Sequence, residues 1–374
     1  MSLRTYIITL FAFLVLSVKA AEAQTDSLYM SIDSLTFVSG KSTSALISSR
    51  SDQIRIDLAE LQGLPMLMGN ADPLHVVKYL PGVQTTTEFN SNIYIRGCDA
   101  AHNDISVGDV PLFGVNHLLG LFSIFNPGHY PRMTFSNAST TNRLGGTVAM
   151  ELPDTLTRKV AGDISVGLVS TQASLGARLG RHSHLRASFR KSYVGMLYSR
   201  WMKVGQNDLN YGFGDYNLTY LYSDGKRDKV WVDLYMGKDN ALLSADAQEA
   251  DIAFVWGNYK AAVRWSHRGD EIKHSHNLFS SGYASQCKVS QLMVNLNMPS
   301  YIMAHGYKGD LKWKDLNSKA EVTFYNVLPQ MPVPTGNDPE DIIQRQFGVE
   351  ASLYTTYDWN FGDNWGMKAG LRGI

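Results

Sequence analysis

After Asp154 the sequence alternates strictly between apolar and polar residues, and this pattern limits the possible folds more than any other feature. Examples are residues 164–168, 185–190, 216–222, 261–266 and 319–324. A period of two residues predicts β-strands with one apolar and one polar face. No segment reaches the ~20 continuous apolar residues that a membrane helix needs. The second half of the chain is therefore predicted to be a series of strands.

Two architectures produce such strands, a soluble sandwich and a membrane barrel, and alternation alone does not separate them. Three features favour the barrel. No helical pattern separates the strands, and short connections (223–229) alternate with long polar ones (326–346). Tyr and Trp also recur near the strand ends, at Tyr198, Trp201, Tyr222, Trp231, Trp265, Trp313, Trp359 and Trp365. A soluble periplasmic sandwich remains the weaker alternative.

Charge and cysteine content exclude several classes. The chain has 34 basic and 34 acidic residues, so its net charge gives no indication of a nucleic-acid partner. The only two cysteines, Cys98 and Cys287, cannot form a disulfide framework. A bridge between them is possible in an oxidising compartment, but two unpaired buried thiols are favoured.

The N-terminus has the layout of a secretory signal. Arg4 precedes an apolar run over residues 6–18, and Ala21-Glu22-Ala23 matches a cleavage site. We expect a signal peptide over residues 1–23. Residues 24–60 are polar and rich in Ser, which predicts a flexible extension. Its short apolar islands could instead add a strand to another protein's sheet.

Residues 61–154 have the local signals of a small α/β domain. Asp72-Pro73 predicts a helix N-cap followed by a first-turn proline, and Pro81-Gly82 ends that helix. Alternation at residues 93–95 predicts a strand, and Gly108-Asp109 predicts a two-residue hairpin turn. The change of pattern places a domain boundary at Asp154, with strands over residues 155–374.

Residues 64–154 resemble the plug domain of TonB-dependent outer-membrane receptors. The resemblance rests on an ordered set of motifs: Leu64-Pro65, Gly69-Asn70-Ala71-Asp72, residues 80–84 (LPGVQ), Ile95-Arg96-Gly97 and residues 117–127 (HLLGLFSIFNP). Residues 211–220 and 233–240 are similar to early barrel strands of the family. The family's usual Asp-Gly is reversed at Gly108-Asp109, its glycine-rich loop differs at residues 136–146, and no clear TonB-contact box stands between Gln24 and Glu60.

The resemblance implies a mixed fold, with a small α/β plug followed by antiparallel transmembrane barrel strands. At ~10 residues per strand, residues 155–374 supply roughly half of the about 22 strands of plugged transporters. The expectation is therefore an incomplete barrel, from a truncated or split receptor.

The implied function is uptake of a bulky nutrient across the cell outer membrane. The implied partners are a TonB-type energy-transducing protein, outer-membrane lipid and an unidentified extracellular ligand, with no cofactor. Arg96 and Arg143 are candidate contacts between plug and barrel, although solvated surface arginines are an equal alternative. A non-transporting, surface-binding or adhesive barrel fragment is the alternative function.

The motifs of common enzymes do not occur. The sequence has no Gly-rich phosphate loop, nucleophile elbow or His-Glu-x-x-His. Histidines group at His267, His274 and His276, and at His182 and His184, but carboxylate or cysteine support is missing, so no metal site is predicted. We expect a protein that is not an enzyme.

Overall fold

The computed structural model describes residues 47–50, 53–63, 68–85, 92–137, 143–154, 159–204, 207–245, 250–291, 294–334, 337, 343–361 and 365–374. The expected signal peptide and the Leu64-Pro65 motif lie outside these residues, as does most of the expected N-terminal extension.

The first part, here called the N-terminal domain (described residues 47–154), is built on a mixed sheet. Its strands are β1 (Ile47–Arg50), β2 (Gln53–Asp57), β3 (Val83–Gln84), β4 (Tyr94–Ile95), β5 (Asp104–Val107), β6 (Val110–Pro111), β7 (Asn116–His117), β8 (Phe122–Ser123), β9 (Arg132–Ser136) and β10 (Thr147–Met150). Six of them form the main sheet in the order β1-β2-β9-β10-β5-β6, in which only the β10–β5 pair is parallel. The pairs β3–β4 and β7–β8 stand apart from it.

The folded part of this domain begins earlier than expected. Strands β1 and β2 lie in the segment that the sequence predicts to be a flexible extension ending at Glu60, yet β2 pairs with β9 from Ile54↔Phe135 to Asp57↔Arg132. The side chain of Ile56 is fully buried in the domain core. The apolar island at residues 54–58 therefore belongs to the domain's own sheet, and the one at residues 35–38 lies outside the described residues.

The predicted N-cap and hairpin turn of this domain are confirmed, but the helix ends at Val77, before the expected Pro81-Gly82. Helix α1 (Pro73–Val77) begins at Asp72, whose carboxylate accepts a hydrogen bond of 2.9 Å from the Leu74 backbone N–H. Strands β5 and β6 are joined by Gly108 and Asp109, with φ of 55° and 69°. Two successive positive φ values are those of a type I′ turn, whose twist matches a tight hairpin.

The second part is one large antiparallel sheet. Its elements are β11 (Val160–Val166), β12 (Ser170–Arg178), β13 (Ser183–Ser192), helix α2 (Val194–Leu197), β14 (Lys203–Val204), β15 (Asn207–Ser223), β16 (Asp228–Ala245), β17 (Ala250–Arg268), β18 (Ile272–Gln291), β19 (Val294–Trp313), β20 (Leu316–Leu328), β21 (Val333–Pro334), β22 (Gln346–Phe361) and β23 (Trp365–Gly373). Within the described residues the strands follow sequence order from β11 to β23, with short β14 and β21 beside β15 and β19. Within the same residues, no helix has the length and apolar character needed to cross a membrane.

The large sheet buries its polar face and exposes its apolar face. On β15, Asp215, Asn217 and Thr219 are at most 4% exposed, whereas Tyr216 and Leu218 are 52% and 39% exposed. Buried polar residues continue across the neighbouring strands at Asp233, Asn258, Lys260, Asn277 and Ser281. Exposed apolar residues continue at Leu234, Met236, Val263, Trp265 and Leu278. We call the buried side, which packs on the N-terminal domain, the inner face and the other the outer face. In a soluble sandwich the apolar face would be buried and the polar face would be exposed.

The two ends of the large sheet differ. At one end, tight turns join β15 to β16, β17 to β18 and β19 to β20, and outer-face Tyr222, Trp265, Trp313 and Trp359 lie near it. At the other end, longer connections carry α2 with β14, and β21. The expected alternation of short and long connections is only partly present, because at this end β11–β12, β16–β17 and β18–β19 are also joined by two to four residues.

Candidate functional site

The residues that join the N-terminal domain to the inner face centre on His117. His117 ends β7, and its neighbours Leu118 and Gly120 have φ of 49° and 104°, so the chain turns sharply into β8. The His117 side chain makes no capping bond to the short helix that follows. It points away from its own hairpin and onto β15 and β16.

Two buried carboxylates of the large sheet bind the two nitrogens of this imidazole. His117 Nε2 lies 2.6 Å from Asp215 Oδ1, and Nδ1 lies 2.6 Å from Asp239 Oδ2. All three side chains are at most 2% exposed. The ring also stacks on Phe213, with centroids 4.5 Å apart. An imidazole can donate from both nitrogens only when it is protonated.

The pKa of His117 agrees with a protonated ring. Burial lowers the pKa, but the charges of Asp215 and Asp239 and their hydrogen bonds outweigh burial and raise it to about 9. At neutral pH His117 is therefore an imidazolium between two carboxylates.

The same contact continues through Asp215 to the start of helix α1. Arg190 donates from Nε to Asp215 Oδ2 at 2.7 Å and from Nη2 to the backbone oxygen of Ser123 at 2.5 Å. Ser123 in turn donates from its N–H and its hydroxyl to Asp72, at 2.5 and 2.7 Å. We call this set, Asp72, Ser123, Arg190, Asp215, His117 and Asp239, the charged chain.

A second buried histidine, His129, stays neutral. Its Nε2 lies 2.9 Å from the hydroxyl of Thr219 on β15. Burial, aided by the charges of Arg186 and Lys260, holds the pKa of His129 well below its usual range. Beside it, Tyr130 donates to Asn217 Oδ1 at 2.8 Å. Two histidines of one domain therefore meet the same strand in opposite protonation states.

Side chains of the large sheet also donate to backbone carbonyls of the N-terminal domain. Asn258 donates to Phe113 and Gly114 oxygens at 3.0 and 3.2 Å, and Asn277 donates to Gly108 at 2.9 Å. Because the acceptors are main-chain atoms, the contact fixes the position of whole loops.

The arrangement is suited to holding two surfaces together. Separating them without water would leave buried charges unpaired, which costs several kcal/mol per ion. Within the part of the chain that the structure describes, no group of three His, Cys, Asp or Glu side chains is arranged to hold a metal ion.

The two residues that the sequence predicts as contacts between plug and barrel, Arg96 and Arg143, lie outside this site. Arg96 is exposed in the turn after β4. Arg143 is also exposed and interacts electrostatically with Tyr325 on β20. Neither belongs to the charged chain, and their role stays a prediction. Cys98 and Cys287 are both free and half-buried.

The charged chain itself was not recognised from the sequence. His117 and Asp215 both lie inside quoted motifs, HLLGLFSIFNP and YGFGDYNLTY. The sequence does contain one signal for Asp215. Tyr211, Phe213 and Asp215 occupy every second position of β15, so the carboxylate lies on the same face of the strand as the two aromatic residues. An acid in that position needs a buried partner.

Comparison with known proteins supports the fold. No protein-family model and no curated protein matches the sequence. Among solved structures, the outer membrane transporter YddB from Escherichia coli aligns with a TM-score of 0.64 at 9% identity, over 86% of this chain and 56% of that chain. The alcaligin outer membrane receptor FauA from Bordetella pertussis gives 0.57 at 9% identity, over 87% and 62%. The ferric yersiniabactin uptake receptor FyuA from Yersinia pestis gives 0.55 at 10%, over 85% and 63%.

These alignments concern the fold. The chain spans between half and two-thirds of the length of the solved proteins it matches. Its fold is that of the TonB-dependent outer-membrane receptors that the sequence resembles.

Proposed function

We propose that this chain, with the fold of TonB-dependent outer-membrane receptors, forms the plug and the first part of the barrel of an outer-membrane importer. In this proposal the N-terminal domain is the plug, and the outer face of the large sheet contacts lipid. A TonB-type protein would displace the plug to admit a bulky nutrient. Among the similar structures, FyuA is an uptake receptor for ferric yersiniabactin and OprC is a copper transporter.

The observation that carries the proposal is the reversed burial of the large sheet. Exposed apolar side chains on adjacent strands, such as Leu218 and Leu234, are paired in register. Such a surface in water would be an aggregation hazard, whereas in a bilayer it is the expected lipid-facing band. The aromatic residues near the tight-turn end lie where a membrane interface would place them.

Strand length and the polarity of the outer face support an orientation in the membrane. A membrane strand needs ~9–11 residues to cross the bilayer, yet β16 to β19 have 18 to 20 residues. Towards the long-connection end the outer face becomes polar, at Asp208, Lys238, Asn240, Asp251 and Lys288. We infer that this end projects into the extracellular medium and that the tight turns face the periplasm, because barrels of this kind have short periplasmic turns.

The charged chain supports gating by the plug. It binds the N-terminal domain to β13, β15 and β16 through buried charges. Displacement of the plug would have to break these contacts, so a closed state would be stable until energy is supplied. Among the described residues, the main path of the large sheet has eleven strands. This is about half of the roughly 22 strands in plugged transporters, so the proposal covers only part of a barrel.

Thiol labelling of Cys98 tests energised movement of the plug. In the Cys287→Ser variant, Cys98 is the only cysteine, and its Sγ lies 3.5 Å from the Leu144 oxygen. Cells are treated with a membrane-impermeant maleimide, with and without functional TonB and with a proton uncoupler. We expect Cys98 to label several-fold faster only in energised cells with TonB, and not at all in the variant that also carries Cys98→Ser.

Two other results would count against the proposal. Equal labelling with and without TonB would contradict gating and favour the non-transporting, surface-binding fragment. Recovery of the chain in the soluble periplasmic fraction would contradict the membrane location itself.

A further inference from the structure

The inner face has a different polarity beside the N-terminal domain and beyond it, towards the long-connection end. Beside that domain it is polar, as at Asp215 and Asn217, but towards the long-connection end it becomes aliphatic. One row crosses five strands in register, and its members are Leu209, Leu243, Ile252, Val289 and Leu296. Ile252 is 38% exposed and the other four are half-buried.

A second row lies two residues nearer to the N-terminal domain. Its members, also paired in register, are Tyr211, Ala241, Phe254, Cys287 and Met298. The Tyr211 hydroxyl is bonded to Asp239, and no other member has an acidic, basic or amide side chain. We call the two rows the apolar wall.

The outer face at the same height is largely polar. It carries Asp208, Asn210, Asp251, Lys288 and Asn295, together with Leu242. In this part of the strands the inner face is apolar and the outer face polar. Beside the N-terminal domain the opposite holds, and the outer face is apolar. Apolar inner residues beside a polar exterior fit neither a lipid-facing surface nor the polar lumen usual for a large barrel.

The apolar wall has borders that limit the size of an occupant. At its β15 edge, Tyr198 and Met202 pack on the cluster that contains Tyr211 and Trp256. At its β19 edge, the first row extends to Pro334, which pairs with Leu296 and is the last residue of the two-residue strand β21. Adjacent strands are ~4.8 Å apart, so the wall is ~19 Å wide, and two rows cover ~7 Å along the strands. These dimensions suit a small molecule.

The apolar wall is continuous with the contact that holds the N-terminal domain. Leu118 and Leu121 of that domain pack on the same cluster as Phe254 and Ala241. The Leu118 N–H donates to the Tyr211 hydroxyl at 2.6 Å, and Leu118 is next to His117. A molecule on the wall would therefore reach residues that touch the charged chain.

We propose that the apolar wall binds the uncharged hydrocarbon face, an acyl chain or fused rings, of an amphiphilic small molecule. This inference rests on the proposed function, because it names the class of ligand that such a receptor would take from outside. The wall has no charge to complement an anionic or cationic ligand face. Contact with hydrocarbon would remove its exposed aliphatic area from water.

Binding of N-phenyl-1-naphthylamine, an uncharged probe that fluoresces in apolar sites, tests the proposal. The full chain in lipid nanodiscs is titrated, and the signal of empty nanodiscs is subtracted. The wall variant is Leu243→Asn with Ile252→Asn. The matched control is Leu242→Asn, which makes the same change at the adjacent residue on the outer face, where Leu242 is 41% exposed.

We expect saturable binding by the wild type, binding at least about tenfold weaker in the wall variant, and no change in the control. No saturable signal from the wild type would overturn the proposal, as would equal affinity in the wild type and the wall variant.

Should the wall variant fail to fold, the native Cys287 on the second row decides instead. Slower alkylation of Cys287 in wild-type protein when the probe is present supports the proposal, and an unchanged rate overturns it. Neither measurement needs TonB. A failure here leaves the TonB-dependent labelling of Cys98, and with it the proposed function, standing.

Discussion

His117 and Asp215, 98 residues apart in the sequence, are joined by a hydrogen bond of 2.6 Å between Nε2 and Oδ1, and both side chains are buried. Asp215 also accepts from Arg190 at 2.7 Å, so one carboxylate serves two cations. Asp215 therefore links the N-terminal domain, through His117, to strands β13 and β15 in one electrostatic contact.

Replacing Asp215 by Asn should destabilise the protein strongly. The change keeps the shape of the side chain but leaves Arg190 without its carboxylate and His117 with only Asp239. Breaking a buried pair by removing one partner costs ~3–5 kcal/mol. The expected result is a large fall in the urea midpoint, followed by tryptophan fluorescence.

The matched control for this change is Asp208→Asn on the same strand. Asp208 pairs with Lys203 at 3.3 Å, and both side chains are more than half exposed. An exposed pair of this kind is worth ~0–1 kcal/mol. Equal midpoints for the two variants would contradict a structural role for Asp215.

Stability should fall as the pH rises through the pKa of His117. Its folded-state pKa is about 9, above the ordinary 6.5, so the protonated ring favours the folded state. This contribution is fully present below pH 6.5 and is lost as the pH rises through about 9. The shift corresponds to roughly 3 kcal/mol.

The measurement is the urea midpoint of wild type and His117→Gln at pH 6.5 and pH 9.5. The wild type should lose stability between the two, and the variant, which has no titrating group at this position, should lose much less. The same loss in both proteins would mean that another group is responsible.

Gly114→Ala should disturb the contact between the N-terminal domain and β18. A Cβ at Gly114 would lie 2.3 Å from the ring of Tyr283, and φ at this position is 59°. Either the loop or the ring must move, which costs ~1–3 kcal/mol and weakens the bond from Asn258 to the Gly114 oxygen.

Gly97→Ala is the control for backbone strain. Gly97 has a φ of 75°, but a Cβ there meets nothing within 4 Å. Both variants carry the left-handed penalty of ~1–2 kcal/mol, so the difference in their thermal midpoints isolates the clash with Tyr283. Indistinguishable midpoints would show that the contact is not tightly packed.

Local signals in the sequence predicted the local structure well. The N-cap at Asp72 and the turn at Gly108-Asp109 depend on a few adjacent residues, and both were found as expected. Alternation likewise identified the strands, because side chains of a strand point to opposite faces whatever lies around them.

The full lengths of the strands were not predicted. On β15 the even-numbered residues from Tyr216 to Tyr222 are apolar, but on the preceding segment the odd-numbered Leu209, Tyr211 and Phe213 are. The apolar side changes within one strand because Tyr211 and Phe213 are buried against the N-terminal domain, whereas Tyr216 and Leu218 are exposed on the outer face. A search of the sequence for uninterrupted apolar–polar alternation therefore finds only part of the strand, because the pattern breaks where the apolar side changes.

The charged chain also could not be derived from the sequence. His117 lies 98 and 122 residues from its two carboxylate partners. Their meeting depends on how the large sheet packs around the N-terminal domain, which no local pattern encodes. Arg96 and Arg143 were selected by family resemblance, and their contribution stays a prediction.

The most direct test of the account asks which side of the strands meets lipid. Single spin labels are placed along β15 at residues 216 to 222, with Cys98 and Cys287 replaced by Ser, and the protein is reconstituted in bilayers. Accessibility to oxygen, which dissolves in lipid, is compared with accessibility to a water-soluble nickel chelate. The account predicts high oxygen accessibility at Tyr216, Leu218 and Tyr222 and low accessibility to both reagents at Asn217 and Thr219. High nickel accessibility at the even-numbered positions would contradict it.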